Sequence, residues 1–539
     1  MKLLFAKLFI KKMHLAIVIF AFCIQGCKSG GADKKEKVSL QPNILLIVAD
    51  DFNYDSAGFA GGVAPDVTPN LDSFAAESYS FTKAFSTVSV CQPSRQSMLS
   101  GLIPNHYGAK GFFPMREGTP TLPAILREAG YLTGNIHKRD HMLPLEAFNW
   151  VHDNESLGLT DPDGVVGRDP QAIARGLRTF IKEANKKDKS FFMVVNSADT
   201  HRPFHGDTFN TNTIIWGNGK VEINLKDPSR IYRPEEVVIP QMLPDIPEIR
   251  KDLAKYASSA RRLDDTVGEC LKVLDELEKK SSTLVIFVSD NGMPLPYAKF
   301  DCYLGSNRSP FLMRWPDGIK KPAKNETDIV SLMDITPTVL ELAHLPIPKP
   351  MDGKSLVPFI KNKTPEDWRE SIVFIRNEDI YYGDGLENVL KRDPDYGKKL
   401  EKLGWVERPD HEVPGTYSRS KEIRTYFDGR YGYIYNNCYK ENGLEIGVLG
   451  VIVAYNDRSI KAMKKASLND QHIKNRYDSY LLRAEEELYD WTQDPGSKHN
   501  LAKDPKYAQV LIEARKGLLD YMKSANDPLA GTYQDMLNR

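Results

Sequence analysis

The sequence predicts an α/β protein with a largely parallel central sheet flanked by helices. Three near-continuous apolar runs, at 43–49, 191–195 and 283–288, have the length of strands that are buried on both faces, as in a parallel sheet. A fourth apolar run lies at 311–315. Helical patterns separate these runs, and such alternation is typical of a layered α/β domain.

Two helices between the strands carry a clear apolar periodicity. Apolar residues recur at helical spacing over 253–277, which predicts a packing helix whose charges face the solvent. The stretch 119–129 predicts a second helix that ends before Gly130.

The pattern changes near Pro365. We therefore predict a large domain over 41–370 and a smaller C-terminal subdomain, with an antiparallel sheet and helices, over 371–539. Residues 422–435 have the pattern of a hairpin that turns at Asp428-Gly429, and a terminal helix begins near Pro505. The Lys- and Glu-rich stretch at 384–414 is broken by prolines and predicts a surface insertion.

The first residues read as an export signal. In residues 1–26, lysines precede an apolar run that is too short for an ordinary membrane span. The run ends in Gly26-Cys27, which resembles a bacterial lipobox, so Cys27 would be lipidated after cleavage. The alternative is an ordinary secretory signal with an incidental cysteine. Residues 27–40 would form a flexible tether, and the protein would lie in a bacterial cell envelope, at the outer membrane or periplasmic face.

The charge balance and the cysteine spacing exclude several kinds of partner and site. The 539 residues contain 72 Lys and Arg and 72 Asp and Glu, so no global field attracts a polyanion and no nucleic-acid partner is expected. Beyond the signal, the cysteines are irregularly spaced, which predicts neither a disulfide framework nor a zinc site. They are Cys91, Cys270, Cys302 and Cys438.

Polar residues follow the apolar runs directly. Asp50-Asp51 comes after the first run, His201 follows the second, and Asp290-Asn291 follows the third. Open α/β sheets place their sites at the carboxyl ends of strands. Carboxylate and amide oxygens form a hard ligand set, which suits Ca²⁺ better than Zn²⁺. Any one of these residues taken alone also fits a turn.

A cysteine introduces the most specific motif. Cys91 opens CQPSRQSMLSG, after a β-rich approach and before a run that can begin a helix. A nucleophile in this position would lie near helix N-terminal amides, which favour negative charge. The structural alternative is a buried cysteine at a strand end.

These motifs together resemble a known family. The order NILLIVADD, CQPSR, GNIHKRDH, DTHRP and SDNG is similar to that of type I sulfatases, in the alkaline phosphatase superfamily, over nearly the whole chain after the signal. VSVCQPSRQSMLSGLIPNHYG and ELYDWTQDPGSKHNLAKDP resemble the heparan N-sulfatase (sulfamidase) group. The resemblance implies an alkaline phosphatase-like fold and sulfate hydrolysis.

The resemblance also implies roles for individual residues. Cys91 would be oxidised by a formylglycine-generating or sulfatase-maturing enzyme to formylglycine (3-oxoalanine), which is the nucleophile, and Arg95 would orient it. The implied Ca²⁺ ligands are Asp50, Asp51, Cys91, Asp290 and Asn291. The implied contacts to sulfate or leaving group are Lys138, His141, His201 and Lys299. The catalytic residues would be Cys91, Arg95, Lys138, His141 and His201.

One stretch departs from the usual pattern. Most sulfatases have Lys-x-His here, whereas this chain has Lys138-Arg139-Asp140-His141, a spacing that resembles the iduronate-sulfatase variant. His137 occupies a place where the family usually has glycine, and the sequence assigns it no role.

The resulting hypothesis is an exported, lipid-anchored sulfatase that acts on sulfated oligo- or polysaccharide, of glycosaminoglycan or ulvan type. The implied mechanism is attack on sulfur by hydrated formylglycine, departure of the alcohol or amine, and expulsion of sulfate as the aldehyde reforms. The alternatives are a dedicated N-sulfoglucosamine sulfohydrolase, a formylglycine-dependent phosphonate monoester or phosphodiester hydrolase, and a non-catalytic glycan-binding lipoprotein.

Overall fold

The central sheet is built around the apolar run that follows residue 42. The computed structural model describes residues 41–109, 111, 113–159, 166–207, 226–319, 321–377, 379–381, 406–407, 417–419, 422–437 and 458–539. In chain order the strands are β1 (Asn43–Ala49), β2 (Tyr79–Phe81), β3 (Ala84–Phe85), β4 (Leu132–Ile136), β5 (Phe191–Ser197), β6 (Thr283–Ser289), β7 (Phe311–Arg314), β8 (Ala323–Asn325), β9 (Val330–Ser331), β10 (Ile372–Arg376), β11 (Asp379–Tyr381), β12 (Val406–Glu407), β13 (Tyr417–Arg419), β14 (Ile423–Phe427), β15 (Tyr431–Asn436) and β16 (Glu486–Asp490).

Seven strands form the central sheet, in the order β4-β5-β1-β6-β7-β2-β8. β1 lies between β5 and β6 and is parallel to both, and β4 is parallel to β5. Every residue of β1, β5 and β6 is buried, as their unbroken apolar sequences predict. β7 is antiparallel to β6. The segment that joins them contains a single helical turn and no crossover helix, which a parallel pairing would need.

Helices cover both faces of this sheet. They are α1 (Pro69–Ala76), α2 (Cys91–Ser100), α3 (Pro104–Tyr107), α4 (Leu122–Glu128), α5 (Leu145–Phe148), α6 (Pro170–Lys186), α7 (Pro247–Glu276), α8 (Leu304–Asn307), α9 (Ile335–Leu342), α10 (Val357–Ile360), α11 (Arg458–Ala466), α12 (Gln471–Leu481), α13 (Ala508–Ser524) and α14 (Ala530–Leu537). Short 3₁₀ turns lie at Tyr54–Ser56, Gly58–Ala60, Arg139–His141, Val166–Arg168, Pro234–Glu236, Leu332–Asp334 and Pro505–Tyr507.

Alternate residues of β1 enter two separate hydrophobic cores. Leu45 and Ile47 pack with α6 and α7, whereas Leu46 packs on the other face with α2, α4 and α9. This division follows from the two-residue period of a strand, which turns successive side chains to opposite faces. The predicted fold class, with its parallel core and flanking helices, is confirmed.

The long helix α7 corrects one expectation. Its charges were expected to face the solvent, but Asp252, Arg262 and Asp264 are buried. Arg262 pairs with Asp199 (2.8 Å), and Asp264 accepts a hydrogen bond from the backbone N of Leu71 (2.8 Å). Periodicity within a helix does not show which distant segments its side chains contact, so these buried pairs were not predicted.

The C-terminal sheet is antiparallel, in the order β10-β14-β15-β16. The predicted hairpin is β14–β15, and Gly429 at its turn has φ +94°, a conformation that glycine adopts at little cost. A fully buried pair, Arg424 with Asp527 (2.6 Å), joins this sheet to the end of the chain. The predicted terminal helix is α13, preceded by a 3₁₀ turn that begins at Pro505.

The domain division stays a prediction. Residues 41–539 cluster as one compact unit, and the C-terminal sheet begins at Ile372 within it. The signal peptide, the tether, Cys27, Cys438 and most of the predicted insertion at 384–414 lie outside the described residues. Within the described part of the chain, no helix combines the length and apolar character that crossing a bilayer requires.

Candidate active site

Four adjacent parallel strands deliver polar side chains to one edge of the sheet. Because β4, β5, β1 and β6 are neighbours that run in the same direction, the residues beyond their carboxyl ends converge. These residues are Lys138 after β4, His201 after β5, Asp50 and Asp51 after β1, and Asp290 and Asn291 after β6. Convergence was predicted for the residues that follow β1, β5 and β6.

Buried carboxylates form the centre of the site. Asp50, Asp51 and Asp290 have no exposed surface. The backbone N of Asp51 donates to Asp290 Oδ1 (3.1 Å), and ligand atoms of Asp50, Cys91 and Asp290 lie within 4.8 Å of one another. Burial raises the pKa of Asp290 to about 7, and the neighbouring carboxylates add to this effect. Such a cluster requires positive charge beside it.

The donor set fits a hard divalent cation. Asn291 Nδ2 donates to Asp51 Oδ1 (2.7 Å), whereas the buried Oδ1 of Asn291 has no hydrogen-bond partner among the described residues. A buried amide oxygen without a donor is costly unless it has another partner, such as a cation. Carboxylate and amide oxygens are the ligands of Ca²⁺ and Mg²⁺, whereas zinc sites are richer in nitrogen and sulfur.

Cys91 is the first residue of α2 and lies beside these carboxylates. Its side chain is buried, with Sγ 3.8 Å from Asp51 Oδ1. Burial raises the pKa of the thiol well above its usual value, and the negative charges of Asp50 and Asp290 add to the shift. An unmodified Cys91 is therefore a protonated thiol at neutral pH, which is a weak nucleophile.

Arg95 lies one turn further along α2 and is also buried. Its Nε donates to Asp290 Oδ2 (3.0 Å), and its Nη2 lies 2.8 Å from the same oxygen. Its Nη1 donates to Asn196 Oδ1 on β5. The described contacts of Arg95 thus orient a carboxylate that faces Cys91.

Two lysines neutralise the other carboxylates. Lys138 Nζ lies 2.7 Å from Asp50 Oδ2, and Lys299 Nζ lies 2.8 Å from Asp51 Oδ2. Burial acts to raise the pKa of Asp50, but the neighbouring positive groups, Lys138 first and Arg95 and Lys299 with it, outweigh burial and hold this pKa well below its ordinary value. Both lysines were predicted to contact sulfate, and the structure brings both to the site.

His137, which the sequence left without a role, gives Lys138 its direction. His137 and Lys138 both have positive φ, +62° and +55°. Glycine adopts this conformation freely, which explains why the position suits glycine. In this chain the carbonyl of His137 accepts hydrogen bonds from Asn135 Nδ2 (2.8 Å) and Asn196 Nδ2 (2.9 Å). The turn directs Lys138 back over the strand ends.

The two predicted histidines lie at the edge of the cluster. His201 Nε2 is 3.9 Å from Asp51 Oδ2, while its Nδ1 donates to the carbonyl of Arg202. Burial lowers the pKa of His201 well below its usual value, and Lys299 lowers it further. Burial and Lys138 lower the pKa of His141 in the same way. Both imidazoles are therefore neutral at pH 7 before an anion binds.

Two residues of the site, Asn196 and Thr200, were not predicted from the sequence. Asn196 joins Arg95 to β4, and Thr200 Oγ1 donates to the backbone O of Asp51 (2.8 Å). A signal for Asn196 was present, because it is a polar residue near the end of an otherwise apolar strand. Thr200 lies between Asp199 and His201, a segment already marked as polar.

A family model described as "Sulfatase" matches residues 42–345, which is more than half of the chain. The range includes every residue placed in the cluster above. The chain belongs to the sulfatase family. Sulfatases are sulfuric ester hydrolases, so the predicted family and reaction class are confirmed. The central sheet of this sulfatase, with its flanking helices and separate antiparallel sheet, is the predicted alkaline phosphatase-like fold.

Named relatives of this sulfatase cover most of its length. Human N-sulphoglucosamine sulphohydrolase is 28% identical over 90% of this chain and 91% of its own. An ulvan-active sulfatase of Formosa agariphila is 29% identical over 67% of this chain and 73% of its own. The phosphonate monoester hydrolase of Agrobacterium radiobacter is 17% identical, covers 90% and 96% of the two chains, and superposes with a TM-score of 0.60. At that identity, the last similarity shows the fold alone.

Cation binding by this sulfatase is testable without substrate. We expect saturating Ca²⁺ or Mg²⁺ to raise the melting temperature of the wild type, because a ligand bound only by the folded state stabilises it by about 2.7 kcal/mol at 100 times its Kd. Asp50→Ala should lose most of this gain. As a control, Asp264→Ala removes an equally buried carboxylate that bonds Leu71 instead, and it should keep the gain. Equal gains in wild type and Asp50→Ala would refute the metal site.

Proposed function

We propose that this sulfatase removes sulfate groups from sulfated polysaccharide fragments, with a formylglycine at position 91 and a bound Ca²⁺. The observation that carries the proposal is the convergence on Cys91 of buried carboxylates, two lysines and the imidazole of His201 from four strand ends and one loop. The relatives named for N-sulfoglucosamine and for ulvan support a sulfated glycan as the substrate class.

Charge balance supports the cation. When Asp50, Asp51 and Asp290 are all ionised they carry three negative charges, which Lys138, Lys299 and Arg95 already match within the protein. Adding an anionic sulfate ester to a neutral cluster would be unfavourable, whereas a divalent cation leaves positive charge for it. Asp50, Asp51, Asp290 and Asn291, together with residue 91, would bind the Ca²⁺. When bound, it would polarise sulfur and stabilise the ionised nucleophile.

The position of Cys91 supports its modification. The protonated thiol is a weak nucleophile, and a sulfated cysteine would have no internal route to release sulfate. A hydrated formylglycine would supply two hydroxyl groups on one carbon. One would attack sulfur as the bond from sulfur to the leaving oxygen or nitrogen breaks, and the other would lose its proton and expel the sulfate as the aldehyde reforms.

The remaining residues bind the anion and move protons. Lys138 and Lys299 provide fixed positive charge for the sulfate oxygens, whose charge grows as the leaving group departs. His201 presents Nε2 to the site because its Nδ1 donates to a backbone carbonyl. A bound sulfate raises the pKa of the neutral imidazole, so that His201 or His141 can carry the proton that the leaving oxygen or nitrogen requires.

Replacing the proposed nucleophile tests the mechanism. Cys91→Ala should lower turnover at least ~1,000-fold, as removal of a covalent nucleophile does in other hydrolases, with an unchanged melting temperature. Cys270→Ala, at a buried cysteine of α7, is the matched control and should keep wild-type activity. Peptide mass spectrometry of active protein should find an aldehyde in place of the thiol at position 91. Full activity with an intact Cys91 thiol would contradict the mechanism.

A panel of defined substrates tests the reaction and the bond. Released sulfate should be measured on N-sulfoglucosamine, on 6-O-sulfated N-acetylglucosamine, on sulfated ulvan oligosaccharides and on a phosphonate monoester. We expect kcat/KM to be highest on one of the sulfated sugars. The highest value on the N-sulfated sugar would indicate a sulfamidase, and the highest value on an O-sulfated sugar would indicate a broader glycan sulfatase. A clear preference for the phosphonate ester would contradict the proposal and favour a formylglycine-dependent phosphonate monoester hydrolase.

We further propose that the enzyme is lipid-anchored through Cys27 in a bacterial envelope. Support comes from the lysines, the short apolar run and Gly26-Cys27 in the sequence. Several acyl chains anchor a protein stably, whereas one alone is marginal. In the native host, Cys27→Ala should move the protein from the membrane fraction to the soluble fraction, and Cys23→Ala should not. Membrane partitioning that Cys27→Ala leaves unchanged would refute the anchor.

A further inference from the structure

The segment that carries Lys299 has a backbone conformation that it would not adopt alone. Tyr297 and Phe300, on either side of Lys299, both have φ +66°. For bulky side chains this left-handed conformation costs free energy, because Cβ crowds the following carbonyl oxygen. Such a conformation persists only where surrounding contacts favour it.

Before Lys299, those contacts come from helix α12. Tyr297 OH donates to the backbone O of Arg476 and lies 2.7 Å from Ser479 Oγ. The guanidinium of Arg476 lies 3.3 Å from the centroid of the Tyr297 ring, and the Tyr480 ring lies 4.7 Å from it. One aromatic residue is thus held by side chains about 180 positions later in the chain.

After Lys299, three consecutive residues have partners in the C-terminal region. Arg483 Nη1 donates to Asp301 Oδ1 (3.2 Å). Thr425 Oγ1 donates to the backbone O of Cys302 (2.9 Å). Tyr303 OH donates to a carboxylate oxygen of the C-terminal sheet, at 3.1 Å. The segment is therefore bound on both sides of the lysine.

Arg483 is the centre of the second set of contacts. Its side chain is 1% exposed, its Nε pairs with Glu487 Oε1, and its guanidinium lies 4.3 Å from the centroid of the Tyr303 ring. Glu487 Oε2 also accepts a hydrogen bond from Tyr489 OH (2.6 Å). Because both Glu487 oxygens are bonded, Arg483 and Asp301 meet in one fixed geometry.

The same segment also reaches the catalytic groups. Lys299 Nζ lies 2.8 Å from Asp51 Oδ2, and the backbone N of Lys299 donates to the carbonyl of Met293 (3.0 Å). The backbone N of Phe300 donates to the carbonyl of Ser89 (3.1 Å), two residues before Cys91. The segment therefore joins the C-terminal sheet to both the carboxylates and the approach to Cys91.

We propose that Asp301 and Arg483 are positioning residues, which hold Lys299 where it acts on the sulfate. The role of Lys299 rests on the proposed function, whereas the constraint on residues 293–303 does not. Asp301 transmits the constraint because it lies two residues from Lys299 and is bonded, through Arg483 and Glu487, to the C-terminal sheet. Through these contacts the C-terminal region contributes to catalysis by fixing the geometry of Lys299.

A double-mutant cycle tests the proposal. Lys299→Ala should lower kcat/KM ~100-fold, as loss of one charge-stabilising donor does, and Asp301→Ala should lower it ~10-fold. If Asp301 acts through Lys299, adding Asp301→Ala to Lys299→Ala should cost less than ~2-fold more. Without substrate, hydrogen exchange of the peptide 293–303 should be faster in Asp301→Ala than in wild type.

The matched control is Asp527→Ala. It also removes a buried carboxylate that is paired with an arginine, Arg424, in the C-terminal region. The hydrogen bonds described for Arg424 do not include one to residues 293–303. It should lower the melting temperature and leave kcat/KM within ~2-fold of wild type. Should Asp301→Ala not fold, Asp301→Asn makes the same comparison with a smaller change of shape.

Two outcomes would overturn the proposal. Equal losses from Asp301→Ala with and without Lys299 would show that Asp301 acts independently of the lysine. Unchanged exchange of 293–303 in Asp301→Ala would show that the contact does not constrain the segment. A wild type that releases no sulfate would instead refute the proposed function, and the exchange comparison would still decide the constraint.

Discussion

Mutual repulsion among buried carboxylates is the constraint on which the rest of the site depends. Asp50, Asp51 and Asp290 leave two neighbouring strands at the same edge and have no access to water. Like charges in such a place stay ionised only where positive groups or a cation lie beside them. Much of the nearby structure meets that requirement, including the left-handed turn at His137 and the pairing of Arg95 with Asp290.

The parts predicted from the sequence share one physical cause. Strands buried on both faces leave unbroken apolar runs, and parallel pairing brings their carboxyl ends together, so Asp50, Asp290 and His201 were expected at one edge. The hairpin at Asp428-Gly429 was predictable because its turn chemistry is local. Each of these features has a local signal, an apolar run or a turn, and the general rule for parallel sheets supplies the rest.

The parts that were missed depend on partners far apart in the chain. Arg262 was expected in solvent, yet it pairs with Asp199, 63 positions earlier. The contact between Asp301 and Arg483 spans 182 positions. The pairs of Lys138 with Asp50 and of Lys299 with Asp51 were not predicted either, because the sequence gives residue types without their distances. The contact of these lysines with sulfate stays a prediction. Pairing across such separations is set by the assembled fold.

The burial of Cys91 has a consequence for the biogenesis of the enzyme. Only 2% of this residue is exposed in the folded chain, beneath carboxylates and beside a segment that the C-terminal region holds against Ser89. An enzyme that oxidises the thiol cannot reach it there. If residue 91 is modified as proposed, the reaction must occur on a chain still being synthesised or not yet folded. Packing of the C-terminal region against residues 297–303 would then end the period in which residue 91 can be oxidised.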